Sequence, residues 1–329
     1  MDENNREAYK EQATLVNHFF RYFTTQGRWV LPALYSLLYE LRALAALADE
    51  EAFQKNEKSD FLEDAARICN KAFSNCIMDR TNKPQFSRRW GTYRTVGITL
   101  KCYIKANRVS LFKSLLRSLT VQTELPPFEK FPKSDQVTCK YYFGLNRFLQ
   151  EEYVEAYREF SFAFANCHRD ATRNQELILT YLIPLQMLRG RLPSRVLLSK
   201  FPRLEQLYTP FVLAIRSGDV KRYDSVLAWG EQRLVSLNVW LCVEKAREIC
   251  VRGLLKKVWR AAAQPTRLPI SLVHRALQMS GIEVAVEEAE CIIANMIYRG
   301  YVKGYISHEK QMVVLAAKDT FPSLAVRGG

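Results

Sequence analysis

Cys167 and His168 are the one place in this 329-residue chain where a thiol and an imidazole adjoin, the pair that a cysteine nucleophile and its base would need. Neighbouring residues on a helix point about 100° apart, so the two could not share a proton, and a capping or surface role is expected for His168. The other histidines, His18, His274 and His308, show no metal-ligand spacing. Nor do the cysteines, Cys69, Cys76, Cys102, Cys139, Cys167, Cys242, Cys250 and Cys291, of which no two are separated by two to four residues. Each falls in an apolar helical context and is read as a reduced thiol packed as a small hydrophobe. With no phosphate-cradling glycine loop and no nucleophile motif, no metal, no cofactor and no enzymatic activity are expected.

Cations could still do chemistry of another kind, by holding phosphates. Lys and Arg number 48 against 34 Asp and Glu, a net charge of +14, and the excess is confined to two segments. Residues 80–123 carry ten basic and no acidic residues, and residues 186–267 carry sixteen basic and six acidic. Such segregation attracts polyanions: nucleic acid, an anionic membrane or an acidic protein. In the first segment Arg80, Lys83, Arg88, Arg89, Arg94, Lys101, Lys105, Arg108, Lys113 and Arg117 are interleaved with Trp90 and Tyr93. That mixture suits single-stranded RNA, whose bases stack while its phosphates pair, although both aromatics could equally sit in a core under solvated charges. In the second segment Glu244, Glu248, Arg252, Lys256 and Arg260 recur every four residues with Lys257 alongside. Arg252, Lys256, Lys257 and Arg260 are therefore candidate nucleic-acid contacts, the last three on a solvent face, although acids first and bases last also suit a helix dipole.

The elements that must position these residues are helices. Apolar spacing predicts helices over 30–47, where Leu31, Leu34, Leu38 and Leu41 share a face, and over 60–77. Others are predicted over about 88–105, 109–120, 135–149, 152–166, 173–188, 206–217, 219–234 and 240–262. Pro126, Pro127 and Pro132 mark a loop from Val121 to Lys133. Gly144, Ala156 and Phe160 match the small-residue and aromatic spacing of one tetratricopeptide helix pair, with an ordinary helical bundle as the alternative. After residue 268 the pattern changes. A helix capped by Ser271 runs to about Met279, a second covers about 286–299, and Tyr301–Ser307 and Gln311–Ala316 read as a hairpin. Helix, helix and hairpin make a winged helix, a module that binds nucleic acid or protein. Within it Arg275, Arg299, Lys303, His308 and Lys310 could touch phosphates, while Glu283, Glu287, Glu288 and Glu290 crowd the start of the second helix and argue against base reading.

Composition fits a folded protein: 48% hydrophobic and 25% charged residues exclude disorder and low-complexity fibres. The most apolar stretch, Trp29 to Ala48, is interrupted by Glu40 and Arg42, so no membrane span and no membrane partner is expected. The acidic, polar start predicts no secretory signal and an intracellular chain.

An all-α, tetratricopeptide-like repeat superhelix over residues 1–239 that runs into a winged-helix module over 240–329 resembles the PCI domain. The segments Arg6–Lys10, Trp29–Tyr35, Thr138–Gly144, Phe162–Arg169 and Ile292–His308 are similar to the branch of that family shared by Thp-type mRNA-export subunits and their signalosome-associated paralogue. Members carry further helical residues before the point where this chain begins, so it looks truncated or divergent there. The resemblance implies a non-catalytic scaffold of an mRNA-export or transcription-coupled processing complex, in the nucleus, at the nuclear pore, and in the cytoplasm. It implies pairing with a second PCI protein through the winged helix, a small acidic Sem/Dss-type subunit, and RNA or DNA bound without sequence specificity. Arg216, Lys221, Arg222 and Arg233 are the candidate seat of the acidic subunit. The alternative is a protein-only scaffold of a signalosome-like or proteasome-lid-like assembly, whose basic face meets acidic protein.

Overall fold

The computed structural model describes residues 4–81, 83–121 and 124–324, leaving the side chains of 109, 113 and 120 outside the description. The chain falls into two compact units, residues 1–146 with 162–168, and residues 147–161 with 169–329.

The first unit is built from α1 (Asn5–Phe23), α2 (Leu31–Gln54), α3 (Phe61–Ile77), α4 (Thr92–Lys105), α5 (Phe112–Thr120) and most of α6 (Lys133–Leu149). The Asn4 side chain caps α1 by accepting from the Glu7 N–H at 3.2 Å. This helix was not anticipated from the sequence, because charged residues dilute an apolar face made of Tyr9, Val16, Phe20 and Phe23. Leu34, Leu38, Leu41 and Ala45 of α2 are fully buried against α1, α3 and α4. The stretch Arg28–Gln54 is long and apolar enough to cross a membrane by length and composition, contrary to the sequence reading that Glu40 and Arg42 disqualify it. Here its apolar face is the core of a helical unit. The helix expected from residue 88 begins as a tight 3-10 turn, Arg88–Gly91, and becomes α-helical at Thr92.

One polar knot fixes that turn. The buried Asp79 carboxylate accepts from the Ser87 hydroxyl at 2.7 Å, the Arg88 N–H at 2.7 Å, the Thr81 hydroxyl at 2.8 Å and the Arg88 guanidinium at 3.1 Å. The same guanidinium donates to the Phe23 carbonyl at 2.9 Å, tying the turn to the end of α1. Burial would raise the Asp79 pKa, but the Ser87 and Thr81 hydroxyls with both Arg88 donors outweigh it and hold the carboxyl down at about 2.

The second unit contains the rest of α6, part of α7 (Tyr153–Asn166), α8 (Thr172–Leu188), the short α9 (Arg195–Leu198), α10 (Pro202–Ser217), α11 (Val220–Ser236), α12 (Trp240–Lys245) and α13 (Arg247–Ala261). After them come β1 (Arg267–Pro269), α14 (Ile270–Met279), α15 (Val286–Tyr298), β2 (Gly304–Ser307) and β3 (Met312–Leu315). Ala156 and Phe160 are buried here, as Gly144 is in the first unit, and the Phe160 ring stacks on Tyr181 with centroids 5.4 Å apart. Phe211 of α10 and Tyr223 of α11, both fully buried, meet edge to face at 5.1 Å between the two helices.

The C-terminal module is a winged helix, with an added strand. β1 and β2 both pair antiparallel with β3, which lies between them, in registers Leu268↔Val313 and Ile306↔Val313. Two details differ from expectation. The helix over 240–262 breaks at Ala246, so Glu244 belongs to α12 and the stripe begins at Glu248. Ser271 is not a cap: α14 already starts at Ile270, whose N–H donates to the Gln311 carbonyl at 3.0 Å, so the wing supplies the partner that a capping side chain would have.

Candidate nucleic-acid and partner interfaces

The candidate cations of α13 divide by helix face. Arg252 points inward, donating to the Tyr301 carbonyl at 3.0 Å and the Pro322 carbonyl at 2.7 Å, with its guanidinium over Phe321. Engaged in these bonds, it ties the wing and the C-terminal segment to α13, away from the nucleic-acid contact expected of it. Lys256 is half-buried over the same ring, and burial first, then Arg260 and Arg252, lowers its pKa, so it too is not on the open face expected. Lys257 is exposed and donates to the Ser217 carbonyl at 2.6 Å, closing the end of α10. Arg260 is exposed and without an ion-pair partner among the described residues. Arg252→Ala is therefore expected to lower unfolding stability by about 2 kcal/mol, the worth of charged hydrogen bonds to carbonyls, while Arg260→Ala stays within about 0.5 kcal/mol in urea titrations.

On the module Arg275 of α14 and Lys310 of the wing turn are exposed, again without ion-pair partners among the described residues. Arg299 is paired with Glu248 at the rim of a cavity of about 500 Å³ whose lining includes Tyr153, Leu185, Leu188 and Leu324. Lys303 meets Asp319 at 2.6 Å, and the His308 ring meets Glu290 at 2.9 Å, so both are committed within the protein. Glu283, Glu287 and Glu288 stand exposed around the start of α15, and Glu288 accepts from the Ala285 N–H at 3.0 Å. Phosphates approaching that helix end would meet carboxylates.

The residues assigned to an acidic partner separate into two places. Arg216, Lys221 and Arg222 surround the α10–α11 turn, where Gly218 adopts φ +67° and Asp219 caps α11. That turn rests on α14: the Lys221 N–H donates to the Ser280 carbonyl at 3.0 Å and the Val220 N–H to the Ser280 hydroxyl at 3.0 Å. Lys257 reaches the same turn, so a fourth cation, distant in sequence, joins these three there. Arg233 lies eleven residues further along α11, about 16 Å away, and donates to the Arg203 carbonyl at 3.2 Å. Between the two places stands Trp229, 62% exposed and on the helix stripe of Arg222 and Arg233. Sequence reasoning missed it. The signal was there: the buried face of α11 is Val220, Tyr223, Gly230 and Leu234, and Trp229 is out of step with it.

The basic run 80–123 loses much of its apparent charge on folding. Arg88 pairs with Asp79, Arg89 with Glu124, Arg94 with Asp135 and Arg108 with Glu63, and Lys101 is half-buried near Tyr39. Tyr93 packs edge-on against Phe128 and Phe131. Lys105 is exposed, as is Arg117, whereas the Lys113 side chain lies outside the described residues.

Among the described residues, no group of three or more His, Cys, Asp and Glu side chains could hold a metal ion. Burial raises the Cys167 thiol pKa, away from a reactive thiolate. Six of the cysteines are buried, Cys167 is half-buried, and Cys291 is exposed on α15, an exception to the packed-thiol reading.

Comparison with known proteins converges on one family. A PCI domain model matches residues 226–316, which cover most of α11 through β3. The chain is 41% identical to the Protein CSN12 homolog of Mycosarcoma maydis, over 97% of this chain and 76% of that protein. It is 38% identical to the Protein CSN12 homolog of Schizosaccharomyces pombe, over 98% of this chain and 79% of that one. It is also 32% identical to PCI domain-containing protein 2 of Danio rerio, over 97% and 80% respectively. With its helical array, its C-terminal winged helix and relatives similar along nearly its whole length, the chain belongs to the PCI-domain family.

Proposed function

We propose that this chain is a non-catalytic scaffold subunit of a nuclear mRNA-export or transcription-coupled mRNA-processing complex, acting in the nucleus, at the nuclear pore, and in the cytoplasm. Residues 1–239 serve as the helical array and 240–329 as the module that pairs with a second PCI protein and binds RNA or DNA without sequence specificity. The observation that carries the reading is the set of exposed cations without ion-pair partners among the described residues, Arg260, Arg275 and Lys310, beside the convergence of Arg216, Lys221, Arg222 and Lys257 at the α10–α11 turn. Phosphates gain most from cations that fold partners have not already neutralised. Arg216, Lys221 and Arg222 at the α10–α11 turn, with Arg233 further along α11, suit a small acidic subunit, and exposed Trp229 offers an aromatic anchor between these charges. A second reading, a protein-only scaffold, is favoured by the nearly full exposure of Met279 and Tyr298 on the module and by the carboxylates at the start of α15.

The test is fluorescence anisotropy of labelled single-stranded RNA and duplex DNA across a salt series, with and without a Sem-type acidic peptide. Affinity is expected to fall log-linearly with salt and to survive the peptide. Reversing Arg260, Arg275 and Lys310 to Glu should flatten the slope for single-stranded RNA by about 2, at roughly 0.7 per lost phosphate contact. No binding at low salt, or complete competition by the peptide, would put the protein-only reading first.

A further inference from the structure

Two adjoining clefts open on the first unit, of about 720 and 1020 Å³, and Trp90 and Lys130 line both. Three tight turns build them: Arg28–Val30, Pro84–Phe86 and Arg88–Gly91, which carry Trp29, Phe86 and Trp90 in turn. Trp90 is held by its indole N–H to the Pro84 carbonyl at 2.9 Å, by the Phe131 ring at 5.2 Å and by the Arg28 guanidinium 4.6 Å from its centre. Trp29 and Phe86 are not covered: they are 74% and 56% exposed. Large aromatics so presented, beside a turn locked by the Asp79 knot, are preorganised rather than stray surface.

The charge around them is one-sided. The two carboxylates that line the clefts are already neutralised, Asp135 by Arg94 and Glu124 by Arg89. Arg28, Arg80, Lys83 and Lys130 are exposed and have no carboxylate partner among the described residues. We infer that the first unit carries its own binding site for single-stranded nucleic acid, with Trp29 and Phe86 as stacking platforms for bases and these four cations as phosphate partners. Unstacked bases are what exposed indole and phenyl faces can bind, whereas a duplex offers only its backbone. The inference rests on the nucleic-acid part of the proposed function and adds a site remote in sequence from the PCI module.

Trp29→Ala combined with Phe86→Ala removes exposed rings and leaves the Asp79 knot in place. In the full chain, oligouridine affinity is expected to fall about a hundredfold, at about tenfold for each of the two lost base stacks, while duplex DNA affinity is unchanged. Arg80→Glu with Lys83→Glu should flatten the oligouridine salt slope by about 0.7 per cation. A photoreactive thiouridine oligonucleotide should form adducts on the segments 28–30 and 84–90 of the wild type, mapped by mass spectrometry. Wild-type oligouridine affinity in the folded double variant, with adducts confined to residues 240–310, overturns this inference and leaves the proposed function standing. Loss of binding in the first-unit variants, with none in the Arg260, Arg275 and Lys310 reversal, supports it and removes the module from RNA binding. A wild-type chain that binds no RNA at low salt overturns both.

Discussion

Asp79→Ala is expected to destabilise the first unit by about 3–5 kcal/mol, because it strips the counter-ion from a buried guanidinium and leaves several donors without an acceptor. Arg88 would remain anchored to the Phe23 carbonyl with an uncompensated charge, and the Ser87 and Thr81 hydroxyls would lose their partner. Urea unfolding monitored by tryptophan fluorescence measures the loss. The double replacement of Asp79 by Asn and Arg88 by Met is expected to recover part of it, since removing both charges costs less than removing one. The same knot sets an acid limit. The folded carboxyl titrates at about 2, below the ordinary aspartate value of 3.8, so its stabilisation is complete above about pH 4 and is lost as pH falls through about 2. Unfolding midpoints between pH 5 and 2 should therefore decline in wild type and be flatter in Asp79→Asn. A midpoint independent of pH over that window would remove Asp79 as the source.

Gly304→Val is expected to open the wing, at a cost of about 3 kcal/mol or more. Gly304 pairs with Leu315 at the edge of the sheet, and a β-carbon there would lie 2.3 Å from the Val314 carbonyl oxygen, closer than any real contact. That neighbour is backbone, so no rotamer change relieves the clash and β2 must leave β3. Hydrogen exchange should show lost protection in both strands, and Val302, Val313 and Leu315 should lose their burial. Gly230→Ala is the contrast. Its added carbon would meet Leu234 at 3.5 Å, ordinary contact, so the helix-propensity gain of up to about 1 kcal/mol should survive.

What was legible from sequence follows from which interactions are local. Helix faces repeat every three or four residues, so α2, α3, α8 and the module's two helices were readable from apolar spacing alone. Gly281 and Gly300 end helices at positive φ, a conformation that glycine accepts without steric cost, so those ends were readable too. α1 was not, since its buried positions are diluted by exposed charge. Likewise the break at Ala246 and the start of α14 depend on partners from elsewhere in the chain.

Charge was the least legible property, for a physical reason. A run of ten cations without an acid in sequence says nothing of carboxylates arriving from Glu63, Asp79, Glu124 and Asp135, which neutralise four of them. Arg252 and Arg260 share a stripe on paper, yet one is spent on two carbonyls and the other faces water. Family, helical class and overall basic character were determined by the sequence itself, because burial patterns and net charge are sums over residues in order. Which cations remain available to a polyanion, and that Lys257 joins Arg216, Lys221 and Arg222 at one turn, was decided only by the tertiary structure, because Coulomb and hydrogen-bond partners are set by distance in space.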